Sequence, residues 1–246
     1  MGETVVLLHG FGGTRRAWDG VIERLDAERY LPLAIDLPGH GAQADAPRPI
    51  TFAGCVEHVL AAAPGRFALC GYSLGARVAL HVALTAPERI SSLTLIGVNP
   101  GIEDDAERAA RLQADLALAE ELETVPLEVF IERWRAQPLF AADPPIVGEL
   151  ARADQRRNRS DALAAVMRGL SVGAMAVLWE RLGELSMPVT VLNGTRDTKF
   201  LAIGERIGGL IGAGRVLAAD GGHRLPLENP GAVAAALAGR DPEPGG

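Results

Sequence analysis

The chain has 246 residues, of which 48% are hydrophobic and 22% are charged, as expected for one globular unit with a sizeable core. Its 24 Lys and Arg residues against 31 Asp and Glu residues give a formal net charge of −7, which argues against a nucleic-acid-binding protein because that class presents a basic face. No apolar run approaches the ~18 residues of a membrane span, so the sequence predicts a cytoplasmic protein without a transmembrane segment.

Short apolar runs alternate with longer helical patterns along most of the chain, which is typical of an α/β fold. The intervening segments predict helices at roughly 16–28, 53–63, 74–85, 201–211 and 231–239. The apolar runs are rich in Val, Leu and Ile and end near Gly, Asp, Asn or Pro. They are therefore predicted to be buried strands of a mostly parallel sheet, and they cover residues 4–8, 31–36, 67–71, 93–98, 189–193 and 215–219.

One interval, residues 100–184, contains no strand pattern. Its apolar residues follow helical spacing: Asp104 or Asp105 can cap a first helix that runs to Glu123, and further helices fit 126–136, 145–157 and 160–170. Helices inserted between two strands predict a cap over the carboxyl edge of the sheet, where open α/β sheets bind ligands. The predicted organisation is a core of residues 1–99 and 185–240, a helical cap of residues 100–184 and a flexible tail of residues 241–246.

The sequence G-Y-S-L-G at 71–75 follows a predicted strand and precedes a predicted helix. This is the G-x-S-x-G motif in the strand–turn–helix context of a nucleophile elbow, so Ser73 is the candidate catalytic serine. Gly71 and Gly75 are expected because a Cβ atom there would collide with neighbouring segments. The start of the helix directs backbone N–H groups at a developing anion.

A serine needs a base to act at neutral pH, and the base needs an acid that orients it. Asp197 lies just past one predicted strand and His223 lies in the loop after the next, which predicts a Ser73–His223–Asp197 triad. The chain order Ser, Asp, His is that of the α/β-hydrolases. His58 and His81 fall within helical patterns and are predicted to be packed or surface residues.

The loop H-G-F-G-G at 9–13 follows the first predicted strand. In an α/β-hydrolase fold this loop supplies one oxyanion-hole donor, here the N–H of Phe11, and the N–H of Leu74 supplies the other. Loop, elbow, acid and base occur in the order that this fold requires. The sequence therefore predicts an α/β-hydrolase fold with an inserted helical cap.

Two cysteines, Cys55 and Cys70, lie in apolar runs. Two such residues are too few for a disulfide framework or a zinc site. They are predicted to be buried, inert thiols.

Several further stretches carry a resemblance to one family; the first is widespread among hydrolases, whereas the cap segments, R-A-Q-P-L-F and R-D-T-K-F are much more specific. The stretches are D-L-P-G-H-G at 36–41, N-P-G-I at 99–102, E-R-A-A-R at 107–111, R-W-R-A-Q-P-L-F at 133–140, G-T-R-D-T-K-F at 194–200 and G-H-R-L-P-L-E-N-P at 222–230. With the elbow and the N-terminal loop, they resemble the 2-succinyl-6-hydroxy-2,4-cyclohexadiene-1-carboxylate synthases of menaquinone biosynthesis. The resemblance covers nearly the whole chain. It departs from the family at Pro226, where a second histidine often follows the catalytic one.

The resemblance implies a carbon–oxygen lyase that eliminates pyruvate from a succinyl-bearing cyclohexene, with Ser73 as the base, a small polycarboxylate as the substrate and no metal or organic cofactor. It implies that Arg77 and Arg111 bind substrate carboxylates, that a third carboxylate-binding arginine is Arg156 or Arg157, and that the site is lined by Tyr72, Trp134 and Phe140.

Elementary chemistry offers a separate check on the arginines, because a substrate with several carboxylates needs cations that bind in a fork. Arg77 lies one helical turn after Ser73, and Arg111 lies on a predicted cap helix, so both can face one pocket. Most arginines on helices instead face solvent. Trp134 and Phe140 fit the core of the cap equally well, and Lys199 can contact substrate or pair with a nearby carboxylate.

Two other functions use the same residues. A carboxylesterase would acylate Ser73 with the same triad, and only the cap arginines distinguish it from a lyase, because one fold hosts many reactions. A non-catalytic binding protein would retain the pocket alone, and the intact triad argues against it.

Overall fold

Six parallel strands form the sheet in the computed structural model, which describes residues 2–212 and 214–242. Residues 243–246 of the predicted tail lie outside the described residues. Within the described ranges the strand order is β2-β1-β3-β4-β5-β6, and every neighbouring pair is parallel. The strands are β1 (Glu3–Leu8), β2 (Tyr30–Ile35), β3 (Phe67–Tyr72), β4 (Ile90–Ile96), β5 (Val189–Gly194) and β6 (Gly214–Ala219), which confirms all six predicted strands.

Helices cover both faces of the sheet, which explains why the strands are continuous apolar runs. Val6 and Leu8 of β1 pack in one apolar cluster with α2 (Phe52–Ala62) and α3 (Leu74–Thr85). α8 (Thr198–Gly208) packs in that same cluster. On the opposite face, Val5 and Leu7 pack with α1 (Asp19–Ile22) and α10 (Pro230–Leu237), and the short helix α9 (Leu225–Glu228) joins them.

The first predicted helix, 16–28, is wrong in length. A 3₁₀ turn at Arg15–Trp18 leads into α1, which ends at Ile22. The Asp26 carboxylate accepts a hydrogen bond from the Glu28 N–H at 2.9 Å, and its carbonyl accepts from the amides of the next two residues after Glu28. An aspartate that bonds to nearby amides in this way stabilises a turn instead of a helix. The helix predicted at 201–211 begins earlier, at Thr198, and ends at Gly208.

The segment between β4 and β5 is helical, and its described residues contain no strand. Asp104 is the cap of the first helix, because its carboxylate accepts a hydrogen bond from the Glu107 N–H at 2.7 Å. Short 3₁₀ helices lie at Pro138–Phe140 and Trp179–Glu184. The α-helices are α4 (Asp105–Thr124), α5 (Leu127–Arg135), α6 (Pro145–Gln155) and α7 (Ser160–Gly169), close to the predicted ranges.

This helical segment has a small apolar core of its own, formed by Ala119, Leu122, Phe130, Leu163, Ala164 and Met167. Polar contacts join it to the sheet. Asp154 at the end of α6 accepts hydrogen bonds from the Thr14 N–H at 2.8 Å and from the Thr14 hydroxyl at 2.5 Å. Asn158 accepts from the Gly41 N–H at 2.9 Å and donates to the Gly12 carbonyl at 2.7 Å. The end of α6 is thereby fixed on the loop that follows β1.

Cys55 and Cys70 are buried free thiols, as predicted. Burial raises the pKa of both, that of Cys55 to about 12, so neither forms a thiolate near neutral pH. Every helix in the described part of the chain is too short or too polar to span a bilayer.

The Asp154 contact predicts a loss of stability on mutation. Asp154→Ala is expected to lower the free energy of unfolding by about 1–3 kcal/mol, because the buried Thr14 N–H and hydroxyl lose their acceptor. Urea unfolding measures this change. The control is Asp161→Ala, whose half-exposed carboxylate pairs with Arg48 and Arg159, and whose cost is expected to stay below about 1 kcal/mol. Equal losses in the two variants would contradict the anchoring role of Asp154.

Candidate active site

Ser73 lies at a sharp turn between β3 and α3. Its φ of 53° and ψ of −109° fall in a region that residues with a Cβ rarely adopt, and its N–H donates to the Ile96 carbonyl at 2.8 Å. A Cβ on Gly71 would lie 2.3 Å from the Gly75 carbonyl oxygen, and one on Gly75 would lie 2.2 Å from the Leu8 carbonyl oxygen. The two glycines thus allow the turn to pack against β1 and hold the serine above the strand ends.

A chain of hydrogen bonds joins the three residues of the predicted triad. His223 Nε2 lies 3.1 Å from Ser73 Oγ, and His223 Nδ1 lies 2.6 Å from Asp197 Oδ2. His223 and Asp197 are both buried, in the loops that follow β6 and β5. Because an ionised carboxylate only accepts, Nδ1 carries the proton and Nε2 is left to accept the serine hydroxyl proton.

Further contacts fix the loops that carry the acid and the base. The Arg196 N–H donates to the Gly221 carbonyl at 2.9 Å, and the Arg196 guanidinium pairs with Asp220 and Glu228. Glu228 also accepts a hydrogen bond from the Gly222 N–H at 2.6 Å, next to His223. The two loops therefore form one hydrogen-bonded unit around the triad.

The N–H groups of Phe11 and Leu74, the predicted oxyanion-hole donors, make no hydrogen bond to any described residue, and both residues line the same cavity as Ser73. The Phe11 loop is fixed on both sides. The Gly12 N–H donates to His40 Nε2 at 3.2 Å, and the Gly12 carbonyl accepts from Asn158. This geometry leaves the two amides available for an anion, as an oxyanion hole requires.

Two other buried histidines, His9 and His40, accept backbone hydrogen bonds in and beside this loop. His9 Nε2 accepts a hydrogen bond from the Leu37 N–H at 3.0 Å, as His40 Nε2 does from Gly12. Burial lowers the pKa of both rings, so they stay neutral and keep their acceptor nitrogens. His58 bonds to a backbone carbonyl, and His81 stacks on Phe52 with its pKa lowered to about 4 by burial and by nearby arginines. Of the five histidines, only His223 lines the cavity.

A cavity of about 710 Å³ opens above the triad, within the size range of small-molecule sites. It lies between the carboxyl edge of the sheet and the helical segment. Ten residues that the sequence named for the site line it, namely Phe11, Tyr72, Ser73, Leu74, Arg77, Arg111, Trp134, Phe140, Asp197 and His223.

Arg77 and Arg111 lie close enough in the cavity to influence each other. The Arg77 guanidinium donates to the Leu170 carbonyl at 2.6 Å, and burial together with the Arg111 charge lowers its pKa to about 10, so it remains a cation at neutral pH. Arg111 donates to Asp115 at 2.9 Å, and Asp115 also accepts from the Ser171 hydroxyl at 2.7 Å. Asp115 and Ser171 thus orient Arg111.

The other two predicted arginines do not reach the cavity. Arg156 binds Glu128 on α5 with its Nε at 2.9 Å, and this contact, with a second from Arg152, lowers the pKa of Glu128 to about 2. Arg157 is 57% exposed and borders a separate cavity of about 120 Å³. Gln155, the last residue of α6, lines the main cavity. The two arginines that follow it are not part of that lining.

Aromatic rings surround His223, the predicted catalytic base. The ring centroids of Tyr72, Phe140 and Phe200 lie 5.4, 6.0 and 4.6 Å from that of His223. The ring centroids of Trp134 and Phe11 lie 4.8 Å apart, and Trp134 also packs against the apolar core of the helical segment. Trp134 therefore both lines the cavity and contacts that core, the two alternatives that the sequence left open.

Sequence reasoning assigned no role to several other lining residues, which are Asp115, Asp143, Gln155, Arg196, Phe200 and Arg224. Arg224 had one available signal, since it directly follows His223. Lys199 also lines the cavity, is exposed, and pairs with neither Asp197 nor Glu205 in the described part of the chain.

Residues 5–236 match the family described as "Alpha/beta hydrolase family". The chain is 36% identical to the 2-succinyl-6-hydroxy-2,4-cyclohexadiene-1-carboxylate synthase of Klebsiella pneumoniae subsp. pneumoniae, over 95% of this chain and 92% of that one. It is similar to the structure of MenH from S. aureus, with a TM-score of 0.89 and 28% identity over 96% of this chain and 92% of that one.

The fold also occurs in an enol-lactonase from Burkholderia xenovorans LB400, which has a TM-score of 0.81 and 20% identity over 97% of this chain and 91% of that one. That likeness concerns the fold alone. The match over residues 5–236 and the 36% identity decide the family: the chain belongs to the α/β-hydrolase family and, within it, to the family of the 2-succinyl-6-hydroxy-2,4-cyclohexadiene-1-carboxylate synthases.

Proposed function

We propose that this protein eliminates pyruvate from 2-succinyl-5-enolpyruvyl-6-hydroxy-3-cyclohexene-1-carboxylate to give 2-succinyl-6-hydroxy-2,4-cyclohexadiene-1-carboxylate. The observation that carries the proposal is one cavity that combines a hydrogen-bonded Ser73 with two arginines, Arg77 and Arg111. A substrate with three carboxylates needs such cations. The family membership of the chain supports the same reaction. A cytoplasmic location, which the sequence predicts, is compatible with it.

In this reaction Ser73 acts as a base and is not acylated. Its Oγ removes the ring proton next to the succinyl carbonyl while its own proton passes to His223 Nε2, 3.1 Å away. Asp197 holds the other ring nitrogen at 2.6 Å and stabilises the imidazolium that forms. The acid and base residues thereby raise the basicity of a hydroxyl that is otherwise inert at neutral pH.

The electrons of the broken C–H bond move first onto the succinyl carbonyl oxygen. The N–H groups of Phe11 and Leu74 are the donors that stabilise this oxyanion. When the oxyanion collapses, the ring double bond shifts, a second ring double bond forms, and the bond between the ring and the enolpyruvyl oxygen breaks. His223 returns the proton, and the released enol becomes pyruvate.

Hydrolysis of a small ester by an acyl-enzyme is the second candidate. The same triad serves it, and apolar side chains such as Phe11, Leu118 and Met167 line the cavity and suit a neutral acyl group. The charges of Arg77 and Arg111 give such a reaction no advantage. Ester hydrolysis without pyruvate release from the cyclohexene substrate would favour this second candidate.

Replacing the serine tests the role of the triad. Ser73→Ala is expected to lower the rate of elimination about 10²–10⁴-fold, because the base is lost while the fold is kept. The measurement is pyruvate release from the freshly prepared substrate. Ser91→Ala, which removes a hydroxyl bound to Glu3 away from the cavity, is the control and is expected to keep wild-type activity. Full elimination activity in Ser73→Ala would exclude the proposed mechanism.

Replacing Arg111 separates the lyase from the esterase. Arg111→Ala is expected to lower kcat/KM for elimination about 10–100-fold, because a charge-assisted contact to a carboxylate is lost, and to leave hydrolysis of p-nitrophenyl acetate nearly unchanged. Arg111→Ala/Asp115→Asn repeats the measurement without an unpaired buried carboxylate. Arg133→Ala, on the exposed side of α5, is the control. An equal loss of both activities contradicts a carboxylate-binding role.

A further inference from the structure

Cations other than Arg77 and Arg111 also border the cavity, because Arg196, Lys199 and Arg224 line it. Arg196 is already bound to Asp220 and Glu228, and Lys199 is exposed. Arg224 is different, since it is buried with only 5% of its surface exposed. A charge that is removed from bulk water in this way needs a reason, because burial of an ion is costly.

Two contacts hold the Arg224 guanidinium beside the catalytic histidine. One nitrogen donates to the carboxylate of Asp143, which lies in the loop after the 3₁₀ helix Pro138–Phe140 and is also buried. The guanidinium carbon lies 3.8 Å from the centroid of the Phe140 ring. Stacking on an aromatic face and pairing with a carboxylate are the contacts that fix the plane of an arginine.

Most of the hydrogen-bonding capacity of Arg224 is unused. A guanidinium carries five N–H donors, and Arg224 makes one side-chain hydrogen bond to the described residues. None of its nitrogens is among the fully enclosed polar atoms that lack a partner. The guanidinium nitrogens that lack a protein partner are therefore not fully enclosed, and the residue to which they belong lines the cavity.

We propose that Arg224 binds a carboxylate of the substrate and that Asp143 is the counter-ion with which this carboxylate competes. The inference rests on the proposed function, in which a substrate with three carboxylates meets Arg77 and Arg111 and requires a third cation. Arg156 does not supply that cation, because Glu128 binds it outside the cavity lining. Arg224 therefore determines specificity for a third carboxylate.

The proposal makes opposite predictions for the two partners of the ion pair. Arg224→Gln removes the cation and weakens binding of an anion in the cavity. Asp143→Asn keeps the shape of the side chain, removes the competing negative charge and strengthens that binding. If the ion pair only holds the loop of Asp143 on the loop of His223, both variants are expected to change the affinity in the same direction, because either one breaks the contact.

The test is the Kd of propane-1,2,3-tricarboxylate, measured by titration calorimetry on the full chain at low salt. Arg224→Gln is expected to raise the Kd about tenfold, Asp143→Asn to lower it severalfold, and Arg224→Lys to fall between Arg224→Gln and the wild type. The control is Arg133→Gln, which removes an exposed cation paired with Glu121 and is expected to leave the Kd unchanged. Thermal unfolding checks that each variant is folded.

Weaker binding in both Asp143→Asn and Arg224→Gln, or an unchanged Kd in both, would overturn the proposal, and so would a larger effect of Arg156→Gln than of Arg224→Gln. If Arg224→Gln does not fold, Arg224→Lys and Asp143→Asn replace it as the test. They are expected to shift the Kd in opposite directions, and a shift in the same direction refutes the proposal. Pyruvate release by the wild type is measured beside the Kd. Release with an unchanged Kd in the variants refutes the role of Arg224 alone, whereas shifted Kd values without release refute the proposed reaction alone.

Discussion

The hydrogen-bonded chain from Ser73 through His223 to Asp197 depends on how closely three strand ends approach one another. In a parallel sheet all carboxyl ends meet at one edge, so residues far apart in the chain come together there. Gly75 lets the elbow pack on β1, and Gly97, with a φ of +59°, leaves room for the imidazole, since a Cβ there would lie 2.8 Å from His223 Cε1. The geometry of the predicted triad is thus a product of tight backbone packing.

The helical segment adds charge and an apolar lining to this edge. Three buried carboxylates on it contact donors in or beside the cavity: Asp115 contacts Arg111, Asp143 contacts Arg224 and Asp154 contacts Thr14. A buried carboxylate is stable only with such partners, so each pair holds the segment, and Asp115 and Asp143 also set how strongly the paired arginine attracts an anion. The proposed elimination of a polycarboxylate and the proposed binding role of Arg224 both depend on this balance of charges.

Local sequence signals predicted the elements that carry chemistry. The strand, the glycines and the helix around Ser73 are contiguous in the chain, so the elbow was predictable residue by residue, as were the loops of Asp197 and His223. The prediction failed where local competition or a distant partner decides. The first helix ends at Ile22, and a turn in which Asp26 bonds to nearby amides occupies the second half of the predicted range. Arg156 binds Glu128, nearly thirty residues away in the chain, and does not line the cavity.

The sequence by itself determined the α/β-hydrolase fold and predicted the helical insertion and the three triad residues, because periodicity, glycine turns and strand-end motifs are local properties. The tertiary structure alone decided which arginines face the cavity. Side chains such as Arg156 and Arg224 extend far from the backbone, and each takes the carboxylate that folding places within its reach, Glu128 for the one and Asp143 for the other. That choice depends on the packing of separate elements, which no local pattern encodes.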